Sequence, residues 1–422
     1  MHTKRESCRL CLSPDLKQVV QLLPVPVGEK YADSKEKVAE SVRYPVDLYW
    51  CESCGCVQTL DDLDPDFLWS DYTYLSGQTQ GIVDHFNEFA HAAIDKYALC
   101  AEQLVMDIGS NDGTLLRAFK EKGMRVAGVD PATELAQQAT TNGIPTLPEC
   151  FSELSAQKVL DEHGKASFIS AFNVFAHSAD MVGMIKGIDL LLEGEGVFAF
   201  EVQYLMDILD KKLLGTIFHE HMIHHSLSSL SKFFATYGMK LVDVERVNIQ
   251  KGSIIGYVAR DGSKWERQQA VTDLLQLEDE RKLTEFSTVH TMELWLREQR
   301  KRVESLKQEW KQADLTVCGY GAARSGPTLA IQLGLEHVMS YLLDNHSMKV
   351  GKFAPFEALE VRPTATLSAQ EQDVVVVLAW IHTKGIIRQH LDYLEEGGQF
   401  LALYPEVTLI DKSNVESFIG SQ

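Results

Sequence analysis

The stretch "QLVMDIGSNDGTLLRAFKEKGMRVAGVDPA", residues 103–132, limits the possible folds more than any other part of the chain. "LVMDIG" is apolar up to Asp107, "TLLRAFKEKG" has helical spacing and ends in glycine, and "RVAGVD" is a second strand closing on Asp130. Strand, glycine turn, amphipathic helix and strand together open a doubly wound α/β sheet. Gly109 and Gly113 let the backbone pass close to a ligand, and Asp130 is placed to take both hydroxyls of a ribose. A dinucleotide site needs G-x-G-x-x-G to hold a pyrophosphate. Here Asn111 stands in place of the second glycine and Asp112 adds an acid. Acids at this turn suit a cationic ligand without phosphates, such as the sulfonium of S-adenosylmethionine. Asp107, Gly109, Asn111, Gly113 and Asp130 are therefore candidate cofactor residues.

The α/β alternation continues. "ASFISAFNVFAHSAD" is an apolar strand ending near Asn173 and His177, and "EGEGVFAFEVQYL" brings Glu201 and Gln203 to the end of another. Loops at the carboxyl ends of such strands form the ligand crevice, which adds Asn173 and His177 to the cofactor candidates. A highly charged segment follows, with apolar residues at helical spacing, and reads as two bridging helices with solvated faces. Beyond it, "ADLTVCGYGAARSGPTLAIQLGL" opens a second α/β unit, with Arg324 where a dinucleotide fold has its third glycine. A guanidinium there crowds the turn but can grip a phosphate. "YLLDNHSMKVGKFAP" adds Asp344, Lys349 and Lys352, and "DVVVVLAW" is a buried strand. Two Rossmann-like units with a cleft between them are expected.

Five of the eight cysteines fall in the first 56 residues. Cys8 and Cys11 form "CRLC", and Cys51 and Cys54 form "CESC". Two CxxC pairs on separate turns can complete a thiolate tetrahedron around zinc, and four sulfur ligands leave no open position, so the metal is structural. Cys56 is spare.

A formal charge of −20 argues against nucleic acid as a partner, since phosphate binding needs a concentrated basic face. An anionic substrate must meet a local basic pocket instead. No apolar run approaches a membrane span and "MHTKRESCRL" lacks an apolar signal core, so a cytoplasmic protein with no membrane partner is expected.

"TIFHEHMIHHSL" concentrates four histidines and Glu220 within residues 216–227. Taken in order, the four-cysteine knuckle, "VMDIGSNDGTLL", "FNVFAH", "EVQYL", "TIFHEH…SLSSL" and "GYGAARSG" resemble the sugar C-methyltransferases that act at C-3 of nucleotide-linked 4-keto-6-deoxy sugars. That resemblance implies an N-terminal zinc-binding domain, a central S-adenosylmethionine domain and a C-terminal nucleotide-fold domain. The expected divisions are 1–75, 76–260, a helical connection 261–312, and 313–422. It further implies S-adenosylmethionine and structural zinc as cofactors, and a nucleotide-linked keto-deoxysugar as substrate. The family motif Tyr-His-Glu-His maps onto Phe218–His221, making His221 the implied base, Glu220 its partner and His219 a further motif residue. A base is required because a carbon beside a carbonyl is a very weak acid, and its enolate needs donors.

Phe218 replaces the family tyrosine, so a hydroxyl is missing. His224 or His225, where the family has aromatic residues, or Tyr72 or Tyr74 from the family's Tyr-Ser block, could supply the lost donor. The resemblance also marks Arg324 as the cation facing the sugar-nucleotide phosphates and Lys251 and Ser253 as substrate-side residues, with Lys352 a further cation. Three alternatives stay open at this level: an O- or N-methyltransferase on a related sugar, a non-catalytic homologue, and an NAD-dependent oxidoreductase, the last disfavoured by both glycine patterns.

Overall fold

The computed structural model describes residues 2–39, 41–69, 75–368 and 371–420. Tyr72 and Tyr74 lie outside the described residues.

Apolar strands bounded by glycine turns build a seven-stranded sheet, in the order Met239–Val247, Ser253–Arg260, Leu192–Gln203, Ala166–Phe172, Leu104–Ile108, Arg125–Val129, Thr146–Leu147. The last five pair in parallel, and Ser253–Arg260 runs antiparallel to both of its neighbours. All residues of Leu104–Ile108 and Ala166–Phe172 are buried, as parallel strands covered on both faces must be. Helices such as Gln80–Tyr97 and Thr114–Lys120 cover one side through Phe89, Phe119 and Leu115, packed against Phe168 and Val105.

A second sheet of six strands runs Glu360–Arg362, Tyr341–Leu343, Val317–Tyr320, Val374–Val377, Gln399–Ala402, Thr408–Ile410, parallel except at the last pair. Helices Gln269–Glu280 and Phe286–Gln312 fill the chain between the two sheets, as their periodic apolar residues require. The fold is thus mixed α/β, with a Rossmann-like seven-stranded sheet, an N-terminal cysteine cluster and a second C-terminal α/β sheet. No helix among the described residues is long and apolar enough to cross a membrane.

The N-terminal region has a four-stranded antiparallel sheet ordered Ile223–His224, Val57–Gln58, Leu48–Cys51, Leu16–Val20. Its edge strand is borrowed from the histidine-rich loop some 165 residues further along the chain. Ile223 pairs with Gln58 and His224 with Val57, while the Thr59 amide donates to the Met222 carbonyl at 3.0 Å.

Candidate active site

The sulfurs of Cys8, Cys11, Cys51 and Cys54 lie within 4.8 Å of one another. Cys8 and Cys54 are 3.7 Å apart and Cys11 and Cys51 3.5 Å, close to the edge of about 3.8 Å in a tetrahedron with Zn–S bonds of about 2.3 Å. The donor set therefore fits zinc. Cys56 stays outside the group, with Gln58 Nε2 lying 3.1 Å from the Cys8 sulfur and 3.6 Å from that of Cys56. Of the other cysteines, Cys318 is a buried packing residue, whereas Cys100 and Cys150 are exposed rather than packed.

The turn after Leu104–Ile108 is shaped by close approach. Gly109 has φ +70°, and a Cβ there would stand 2.2 Å from Val174 Cγ2, so only glycine fits. Asn111 has φ +51°, its amide donates to Asp130 Oδ2 at 2.8 Å, and the Ala132 amide donates to Asp130 Oδ1 at 2.8 Å. Gly113, at φ +75°, caps the following helix. Asp107 is buried and accepts the Ser170 hydroxyl at 2.6 Å. Burial pushes its carboxyl up to about 7; the Ser170 hydrogen bond opposes this and the charge of Asp130 adds to it. Burial likewise raises Asp130. Two acids held high by burial are relieved by a cationic ligand beside them. The buried Ser110 hydroxyl has no partner among the described residues and is a further unsatisfied group at this turn. These features fit the amino acid, sulfonium and ribose of S-adenosylmethionine.

Residues 76 and 77 lie against this turn. The Ser76 amide donates to Asn111 Oδ1 at 3.0 Å and the Gly77 amide to Asp112 Oδ2 at 2.9 Å.

A small cavity beyond the strand ends is lined by Asn173, Ala176, His177, Val202, Gln203, His221 and Ile223. His221 Nδ1 is 2.6 Å from the Thr216 carbonyl. A carbonyl only accepts, so Nδ1 carries the proton and Nε2 is the bare nitrogen. The His177 ring stacks on that of His221 at 4.9 Å, and the Phe218 ring lies 4.0 Å from it. Burial pushes His221 down to about 4, with the Thr216 carbonyl opposing and Arg324 reinforcing the shift. Glu220 is buried and ion-paired to Arg324, which also lies 3.7 Å from Glu29. Burial raises the Glu220 carboxyl, and Arg324 pulls it back. Lys349 bonds to the same Glu29 at 3.0 Å. Three distant segments therefore meet here, so tightly that a Cβ on Gly28 would collide with the Arg324 carbonyl oxygen.

The structure brings His221, His177 and Asn173 to one cavity and Glu220 and Arg324 to one ion pair. The other sequence candidates lie elsewhere. His219 points to the N-terminal region, 3.3 Å from the Tyr44 carbonyl, and burial lowers it to about 4. His224 sits in the borrowed strand with its Nε2 buried and without a partner among the described residues. Ser253 is buried opposite Gln203, with its hydroxyl on the Ile249 carbonyl, and Lys251 lies over the Tyr404 ring at 5.8 Å. Lys352 is a surface residue 3.9 Å from Asp33. Sequence reading missed Thr216, which orients His221 through its main chain alone, and Glu278, which lies about 50 residues along. Glu278 is buried and accepts the amides of Leu227 and Ser228 and the Tyr204 hydroxyl. Nothing in the residue types announces either contact.

The glycine-turn sheet with its paired acids, beside a cavity holding a tautomer-fixed imidazole, defines an S-adenosylmethionine-dependent methyltransferase with structural zinc. Three family models match in tandem: a zinc binding domain over residues 8–69, a methyltransferase domain over 84–244 and a C-methyltransferase C-terminal domain over 248–405. The C-methyltransferase NovU of Streptomyces niveus is 29% identical over 406 residues, which are 96% of this chain and 97% of that protein. Matched in tandem by these models and along nearly its whole length by NovU, the chain is a homologue of S-adenosylmethionine-dependent C-methyltransferases. Solved structures similar to part of it include a methyltransferase bound to the Trm112 activator of Haloferax volcanii, at 16% identity and a TM-score of 0.37 over 47% of this chain and 98% of that one. Magnesium protoporphyrin IX methyltransferase of Synechocystis PCC 6803 gives 16% and 0.34 over 46% and 90%.

Proposed function

We propose that this enzyme methylates C-3, the carbon alpha to the ketone, of a nucleotide-linked 4-keto-6-deoxy sugar in branched deoxysugar biosynthesis. The observation that carries the reading is His221, which lines the cavity with Nδ1–H spent on the Thr216 carbonyl and Nε2 left to accept a proton. In the proposed step Nε2 removes the α-proton, giving an enolate. The Thr216 carbonyl then stabilises the imidazolium that forms, as a hydrogen-bonded orienter does for any general base. Glu220, held by Arg324, supplies negative charge next to it in the chain. His177 lies face to face with His221 and is the nearest imidazole able to donate to the enolate oxygen in place of the hydroxyl that Phe218 lacks. Bound S-adenosylmethionine supplies the electrophilic methyl group, and the chain's part is in-line placement.

Asp107, Gly109, Asn111, Gly113, Asp130 and Asn173 are assigned to the cofactor side, and Ser253 and Lys251, near Gln203 and Gln250, to the substrate side. Arg324 is assigned to the phosphates, which must then compete with Glu29 and Glu220 for its guanidinium, with Lys352 a more distant cation. His219 and His224 act by holding the loop. The divisions 1–75, 76–260, 261–312 and 313–422 are proposed as the zinc, cofactor, connecting and nucleotide-side units. A cytoplasmic setting suits four reduced thiolates.

The deciding experiment incubates the protein with S-adenosylmethionine and a nucleotide-linked 4-keto-6-deoxyhexose in heavy water, followed by mass spectrometry. One methyl gained on carbon supports the reading. Methyl gain on oxygen or nitrogen, or no gain with any such sugar, defeats it.

A further inference from the structure

We propose that His85 and Glu201 form a buried pin that holds Asn173 in the cofactor cleft, making both positioning residues for S-adenosylmethionine. The inference rests on the cofactor alone and not on the identity of the sugar.

Glu201 lies near the carboxyl end of the strand Leu192–Gln203 and is completely buried. A carboxylate without water must be matched by donors. His85 Nε2 approaches it at 2.5 Å and Asn173 Nδ2 at 3.2 Å. The main chain repeats the link, since the Asn173 amide donates to the Glu201 carbonyl at 3.0 Å. Asn173 has φ +56°, a left-handed conformation that a non-glycine residue keeps only when its surroundings hold it. On its other side Gln250 Nε2 donates weakly to Asn173 Oδ1 at 3.4 Å, and Gln203 Nε2 donates to Gln250 Oε1 at 2.8 Å. The chain His85, Glu201, Asn173, Gln250, Gln203 thus runs from the helix Gln80–Tyr97 to two residues that line the cavity with His221.

That helix is anchored twice. Its leader, Ser76 and Gly77, is bonded to Asn111 and Asp112 at the glycine turn, and His85 is bonded to Glu201 near the end of the strand Leu192–Gln203. Loss of the second anchor frees one wall of the cleft while leaving the sheet intact.

His85 is titratable. The groups facing it are Glu201 from the strand, Glu88 from its own helix, and the rings of Phe86 and Phe172. Burial lowers its pKa, but the bond and charge of Glu201, then Glu88, outweigh burial and raise it overall. Protonated, His85 gives Glu201 a charge-assisted bond, and as pH rises through its folded value that bond loses its charge and the hold on Asn173 weakens. Cofactor affinity should therefore fall on the alkaline side.

The test is calorimetric titration with S-adenosylhomocysteine, which keeps the amino acid and ribose and has no methyl to transfer. His85→Ala should weaken binding on the order of tenfold, the scale of one charge-assisted hydrogen bond to a buried carboxylate. His85→Gln, which keeps a neutral donor, should recover most of the loss, and its affinity should change less than that of the unmodified protein between about pH 6.5 and 9. His85→Ala added to Asn173→Ala should cost nothing further, because the pin acts through Asn173. Unchanged affinity in His85→Ala, additive losses, or identical pH dependence in His85→Gln and the unmodified protein would each overturn the proposal. If His85→Ala does not fold, the His85→Gln comparison and the pH series decide alone.

Discussion

At His221 the Thr216 carbonyl decides which ring nitrogen is bare, and burial decides when it is protonated. A base works in its neutral form, so with His221 pushed down to about 4 its protonation should cost no activity anywhere above about pH 5. An acid limb in kcat near the ordinary imidazole value of about 6.5 would show that another group is the base. His221→Ala should lower kcat on the order of 100-fold or more while leaving S-adenosylhomocysteine binding close to normal, measured by single-turnover kinetics and calorimetry. The residue types of this site were legible in "TIFHEH", and the resemblance pointed to His221 and Glu220 among them. The tautomer and the pairing of Glu220 with Arg324 were not, because both depend on groups brought close only by folding.

The segment around His221 is built from buried polar groups. His219, His221, His224 and His225 are all held neutral by burial, at about 4, 4, 3 and 3. The unfolded chain takes up protons at these positions from about pH 6.5 downward, whereas the folded chain does not until about 4 to 3. Stability should therefore fall steadily as pH drops through that window. His224→Phe should narrow the difference in Tm between about pH 7 and pH 5, and an unchanged difference would mean that this histidine is not the acid-sensitive point. The helix Leu227–Thr236 starts on two supports, the Ser226 hydroxyl and the carboxylate of Glu278. Glu278→Ala leaves two amides and the Tyr204 hydroxyl without this acceptor, and should cost about 3 kcal/mol or more in denaturant unfolding, at roughly 1–3 kcal/mol per orphaned buried donor. Neither this helix nor its Ser226 cap was read from the sequence, and an acceptor some 50 residues downstream has no local pattern to announce it.

Across the whole molecule, the zinc cluster and the candidate base share a sheet. Cys51 ends one strand, Val57–Gln58 is the next, and Ile223–His224, two residues after His221, is the edge. The Ser229 hydroxyl also donates to the Cys54 carbonyl at 3.2 Å. Zinc loss should therefore reach the cavity through hydrogen bonds, without any contact between metal and substrate. Cys8→Ser should abolish stoichiometric zinc by metal analysis and lower kcat well before the main unfolding transition, which near-ultraviolet dichroism follows. Retained zinc or untouched turnover would separate the two regions.

The α/β class, the glycine turn, the acid-ended strands and the four thiolates were determined by the sequence alone. Each depends on residues a few positions apart, where periodicity and spacing act directly. "LVMDIG" must be a buried strand, "DIGSNDG" must turn through its glycines, and CxxC must form a two-thiolate turn. Tertiary structure decided which of those pieces touch. It put a strand of the histidine loop in the zinc sheet, Arg324 on Glu220, Lys349 rather than Lys352 on Glu29, and His85 on Glu201. These pairings join residues from about 100 to over 300 positions apart, and their energy comes from matching buried charges and donors. Such matching has no local pattern for a sequence to display.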